Sequence, residues 1–194
     1  SSPEVQDRIP KFPSEDTPLQ VTYHRGDRDQ AAAVMAWPTG GGSAGLREAR
    51  QLEILVEIFN NRLMEALRDR LGASYSPQVI SRWPANLPRG GTIVALAQLD
   101  PEDIPIFFTE SQRIADDLID TAVSDDELNR ALLPLRELYT RAATSNMFWL
   151  MQLENASVDP TRIALARTLL EDYSQARPDF LQLLARKYLG PRSP

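Results

Sequence analysis

Between Leu46 and Gly72 the apolar residues Leu52, Leu55, Val56, Phe59, Leu63, Leu67 and Leu71 recur at steps of three, one, three, four, four and four. Those steps place them on one face of a helix, so the rest of the chain must supply a surface on which that face is buried. Gly72 has the backbone freedom that commonly ends such a helix. The run Leu67-Arg68-Asp69-Arg70-Leu71-Gly72-Ala73-Ser74-Tyr75-Ser76 then carries Arg68 and Tyr75 past that end. A guanidinium and a phenol are good donors toward a peptide carbonyl or an oxyanion. The sequence around them holds one histidine and no cysteine, with no His-x-x-Glu-His or His-x-x-x-His spacing. Donors are present without a motif for a catalytic metal.

At 194 residues, 42% of them hydrophobic and 25% charged, the chain is long enough to bury one core without disulfides or a structural metal. Twenty-one Lys and Arg stand against 27 Asp and Glu, a net charge of −6. The basic footprint of a nucleic-acid binder is therefore missing, and nucleic acid is not expected as a partner. No apolar run approaches the roughly 18 residues of a bilayer span, so no membrane segment is expected. The absence of cysteine fits either a reducing or an oxidising compartment. The start Ser1-Ser2-Pro3-Glu4 has neither a basic nor an apolar leader region.

Residues 1–18 hold four prolines and little periodicity, and read as an extended arm or linker before a domain over 19–194. Leu19 to His24 and Ala31 to Trp37 are β-prone and flank the turn-rich Arg25-Gly26-Asp27-Arg28-Asp29, which predicts a hairpin. Pro38-Thr39-Gly40-Gly41-Gly42 ends the second strand, and Ser43 is placed to cap the long helix. Gln78 to Trp83 and Thr92 to Leu99 read as two further strands joined through Pro84 to Gly91. Beyond Leu99 the pattern is helical. Ile106, Phe107, Ile114, Leu118 and Ile119 mark one helix. Ser124-Asp125-Asp126-Glu127 is a capping box for a second that runs to about Leu153, kinked at Pro134. Asp159-Pro160 opens a third through Asp172, and Arg177-Pro178 a fourth that stops at Gly190-Pro191. The expected fold is α+β, a mixed or antiparallel sheet of about four to six strands packed against several helices.

Each candidate residue has a plain structural reading beside the functional one. Glu65 lies three residues before Arg68 and could hold it as a surface ion pair, and Arg62 and Arg70 share the same helix. A lone His24 near a strand end lacks the partners a metal needs. The Gly40-Gly41-Gly42-Ser43 run has no following Lys-Ser/Thr and reads as a flexible loop rather than a phosphate cradle. Asp125-Asp126-Glu127 is explained by capping and the helix dipole. Trp37, Trp83, Phe148 and Trp149 read as core aromatics.

Four patterns in order resemble the M16 zinc metallopeptidases, the family of pitrilysin, insulin-degrading enzyme and the mitochondrial processing peptidases. They are Gly26-Asp27-Arg28-Asp29-Gln30 leading to Ala36-Trp37-Pro38; Arg62-Leu63-Met64-Glu65-Ala66-Leu67-Arg68 with Gly72 and Tyr75-Ser76; Val123-Ser124-Asp125-Asp126-Glu127-Leu128; and Leu183-Leu184-Ala185-Arg186-Lys187-Tyr188-Leu189. The likeness spans the chain from about residue 17. It implies a single domain of M16 type, with the LuxS/metallohydrolase-like architecture, from an enzyme whose two halves close around a peptide like a clamshell. Zinc in such enzymes sits on an inverted His-x-x-Glu-His helix of the partner half, a motif this chain lacks. The resemblance therefore implies a C-terminal fragment with no catalytic residue, metal or cofactor of its own, inactive alone. Its partner would be a zinc-bearing half, in the same polypeptide or a separate subunit. By motif position Arg68 and Tyr75 would contact the bound peptide substrate, with the tyrosine near the developing oxyanion. A periplasmic location is the expectation if the source is bacterial and the protein exported. The alternative reading is a non-catalytic scaffold of the same architecture, as in the core subunits of the respiratory bc1 complex.

Overall fold

The structure, a computed structural model, describes residues 12, 13, 18–23, 25, 30–72, 76–154 and 156–190. Burial alternates along Ala31–Gly40, where Ala33, Trp37 and Thr39 are buried and Ala32, Val34 and Ala36 are exposed, and this run forms strand β1. Strands β2 (Gln78–Arg82) and β3 (Arg89–Leu99) complete an antiparallel sheet in the order β1-β3-β2. The register sets Trp37 opposite Ile93, and Val94 opposite both Ala36 and Ile80.

Among the described residues the sheet has three strands, fewer than the expected four to six. The difference lies at residues 18–23, which take no strand conformation, so the expected hairpin does not form there. Leu19, Val21 and Tyr23 remain 64%, 62% and 91% exposed. Alternating β-prone residues stabilise a strand only when one of its faces is covered, and among the described residues neither is. His24 and Gly26 to Asp29 lie outside the described residues.

Helix α1 (Leu46–Leu71) crosses the sheet and buries Leu52, Leu55, Phe59, Leu63 and Leu67 against it and the other helices. Its Phe59 ring lies 5.5 Å from that of Trp37. Ser43 does not cap this helix; Ser43–Gly45 is a turn of 3₁₀ helix, and Gly45 occupies the cap position. Helices α2 (Ile104–Asp120), α3 (Asp125–Ala142), α6 (Leu169–Ser174) and α7 (Pro178–Tyr188) pack around α1. Helix α3 opens with the expected capping box, Ser124 Oγ accepting from the Glu127 N–H while Glu127 accepts from the Ser124 N–H. It continues through Pro134 but stops at Ala142, short of Leu153. There the Thr144 hydroxyl and the Trp149 indole N–H bond the carbonyls of Arg141 and Ala143, at 2.8 and 2.7 Å, and divert the chain into the separate α4 (Asn146–Gln152). The third expected helix is likewise split, into α5 (Thr161–Arg167) and α6, at Thr168.

Candidate functional site

The end of α1 is fixed by Gly72, whose φ of 87° with ψ of 179° is a conformation reserved for glycine, and whose N–H donates to the Arg68 carbonyl at 2.9 Å. The backbone carrying Arg68 is therefore held while its side chain is exposed. Tyr75 lies outside the described residues, so the geometry of the pair rests on Arg68 alone.

Three arginines share the C-terminal half of α1, and their neighbours separate them. Arg62 forms a bidentate pair with Glu127, at 2.8 and 3.1 Å, joining α1 to the cap of α3. Arg70 reaches the buried Glu110 of α2 at 3.0 Å, beside Arg113 at 2.8 Å. No ion pair joins Arg68 to Glu65, and among the described residues no carboxylate holds Arg68. Arg62 and Arg70 each hold a carboxylate, although Arg70 is itself 64% exposed, whereas Arg68 is exposed and holds none among the described residues.

Glu127 has a consequence for stability. Its hydrogen bonds from Arg62, reinforced by Ser124, hold its carboxyl below the ordinary 4.5. A folded-state pKa below the unfolded value adds stability that is present above about pH 4.5 and is lost as pH falls through the folded value. Glu127→Gln should therefore lower the urea midpoint at pH 7, and the gap to the parent chain should close on acidification. A gap unchanged between pH 7 and pH 3 would contradict this.

A second polar cluster lies between the N-terminal half of α1 and α3 and α6, and nothing in local spacing announces it. Asp172, 2% exposed, accepts from Arg50 Nη1 at 2.5 Å and from the Thr168 hydroxyl at 3.1 Å. Arg47 Nε stands 2.9 Å from its other oxygen, an ion pair out of line for a hydrogen bond. The Gln51 amide donates to the Asp172 carbonyl. One turn along, Glu53 Oε2 accepts from the Tyr139 hydroxyl at 2.9 Å and from that of Tyr173, whose rings stack 4.8 Å apart. Burial, with the Glu53 charge beside it, pushes the Tyr139 phenol up to about 12 and raises Tyr173 as well. Both stay protonated donors at neutral pH. Arg50, Glu53, Tyr139 and Tyr173 border a cavity of about 210 Å³ that Trp83 and Ser81 also line. Apart from Thr168, four positions from Asp172, the partners are separated by 86 to 125 positions in sequence, which is why sequence reasoning misses them.

The glycine run proves to be a socket rather than a loose loop. A Cβ at Gly40 or Gly45 would run into the Trp83 ring, whose Nε1 donates to the Gly42 carbonyl at 2.9 Å. Trp37 is core, as expected, whereas Trp149 is 36% exposed and is not. The sheet face away from α1 carries Val34, Val94, Leu96 and Ile80, an apolar strip with no layer over it among the described residues. Among those residues no three His, Cys, Asp or Glu side chains converge as a metal site, and no helix is long and apolar enough to cross a membrane.

None of the curated proteins compared with the chain matches it. Several solved structures share its fold. A protein of Bordetella pertussis Tohama I, described as a candidate zinc protease, is 20% identical with a TM-score of 0.66, over 84% of this chain and 88% of that one. The periplasmic protease PqqL of Escherichia coli is 13% identical with a TM-score of 0.65, over 82% of this chain and 18% of that one. A chain of Complex III2 from Candida albicans is 12% identical with a TM-score of 0.66, over 82% of this chain and 40% of that one. The chain thus spans less than half the length of the latter two. A family model described as the peptidase M16 inactive domain matches residues 2–135, more than half of the sequence. The chain belongs to the peptidase M16 inactive-domain family.

Proposed function

We propose that this chain is the substrate-clamping domain of a zinc-dependent M16 endopeptidase, inert alone and completed by a zinc-bearing half. The observation that carries the reading is Arg68, which stands exposed on a backbone fixed by Gly72 while Arg62 and Arg70 are committed to Glu127 and Glu110. A guanidinium held in this way can donate to the carbonyls of an extended peptide, and Tyr75, three residues beyond Gly72, supplies a second donor for the oxyanion. The strip of Val34, Val94, Leu96 and Ile80, over which no layer lies among the described residues, suits the apolar side chains of such a peptide. Zinc in the partner half would supply the activated water.

The test is a fluorogenic peptide series offered to this chain, to a zinc-bearing M16 half from the same source, and to the two together. The chain alone is expected not to cleave, and the mixture is expected to cleave in a chelator-sensitive manner. Equal cleavage by the zinc-bearing half with and without this chain would defeat the reading.

A second reading is a structural module without a peptidase partner. The similarity to a chain of Complex III2 favours it. An inverted zinc motif in the neighbouring coding sequence decides between the two, its absence favouring the scaffold.

A further inference from the structure

The two edges of the sheet differ. Strand β2 is five residues long, and its Val79 N–H is already taken by Asn60 Oδ1 of α1 at 2.9 Å. Strand β1 is ten residues long and pairs on one side only, with β3, among the described residues. From Ala31 to Ala36 it is Ala-Ala-Ala-Val-Met-Ala, without a charge, a proline or a bulge; the register shift comes only at Thr39 and Gly40. Folded chains usually blunt such an edge with lysine, proline or a bulge, because its unpaired N–H and C=O groups template a further strand.

Beside this edge runs a groove of about 630 Å³. Ala31 to Val34 form one wall, Leu19 to Tyr23 the other, and Ile104 and Phe108 of α2 lie at its border. None of its lining residues is charged. No backbone hydrogen bond joins residues 19–23 to β1, and among the described residues nothing fills the space between them, which suits a segment that can bond the edge.

We propose that the outer edge of β1 is an acceptor for an extended, uncharged peptide strand from outside these 194 residues. The strand bonds Ala31 to Ala36 through its backbone and seats alternate apolar side chains in the groove. An uncharged groove disfavours a charged occupant, which would lose its hydration without a partner. Main-chain pairing supplies affinity and the alternate side chains supply selectivity. Six strand residues span about 20 Å, the length of the free stretch. A second copy of β1 fits poorly, since it brings its own sheet and its own residues 19–23 into the same space. The inference does not rest on Arg68, and either can fail without the other.

The experiment uses the 194-residue chain and the acetylated, amidated hexapeptide Thr-Val-Gln-Val-Thr-Val, with amide exchange read residue by residue by NMR. The peptide is expected to slow exchange of amides within 31–36 by about tenfold or more, and the same peptide N-methylated at alternate residues is expected not to. Ala32→Lys, at an exposed position, should weaken binding about tenfold while the urea midpoint stays unchanged. Absence of binding at millimolar peptide, equal binding of the N-methylated peptide, or protection elsewhere than 31–36 would overturn the proposal. So would protection of 31–36 that rises with chain concentration alone, which would mean a second copy.

Discussion

Replacing Asp172 by alanine is expected to cost the chain about 3–5 kcal/mol of stability, the largest effect of any single polar substitution outside the apolar core. Arg50 is 7% exposed, and its only ion-pair partner among the described residues is this carboxylate, at 2.5 Å. Removing the carboxylate leaves a guanidinium in the interior with its charge uncompensated. It also frees Thr168 and Arg47, which bind the same group. The Gln51 bond goes to the Asp172 backbone carbonyl and survives the change. A lower urea midpoint with an unchanged slope is the expected reading. The pair Arg50→Met with Asp172→Leu should recover much of the loss, since two apolar groups of similar volume leave no charge unpaired. A midpoint within error of the parent for Asp172→Ala would show that water or a rearranged side chain reaches Arg50.

The second large effect is on activity. In the assembled peptidase, Arg68→Ala should lower kcat/KM by about ten- to a thousand-fold, the range for losing a positioning or oxyanion donor. Stability should change by no more than about 0.5 kcal/mol, because the side chain is exposed and holds no carboxylate among the described residues. Arg62→Ala gives the reverse pattern, lowering stability through the loss of the Glu127 pair that joins α1 to α3. Unchanged hydrolysis in Arg68→Ala would remove this residue from the substrate-facing surface.

What the sequence makes legible is what local periodicity and capping encode. The stripe from Leu52 to Leu71, the Ser124–Glu127 box and the proline-led α7 all appear where their signals stand. Two kinds of feature escape it. The first depends on whether a face is covered: Leu19, Val21 and Tyr23 have the alternation of a strand but, among the described residues, no layer against them. The second depends on contacts far apart in the chain. Glu53 with Tyr139 and Tyr173, and Arg50 with Asp172, become neighbours only when α3 and α6 fold back on α1. At the candidate site, sequence leaves Arg62, Arg68 and Arg70 equivalent, and the tertiary partners of two of them set Arg68 apart.

The most direct test places a photo-crosslinking residue at position 68 of this chain, assembled with its zinc-bearing half, and adds a labelled peptide substrate under chelation so that it is bound but not cut. Label should transfer to the chain at position 68 and not from a control placed at the exposed Arg130, on the first turns of α3. Equal transfer at both positions, or none at 68 while the peptide is demonstrably bound, would mean that the end of α1 does not face the substrate.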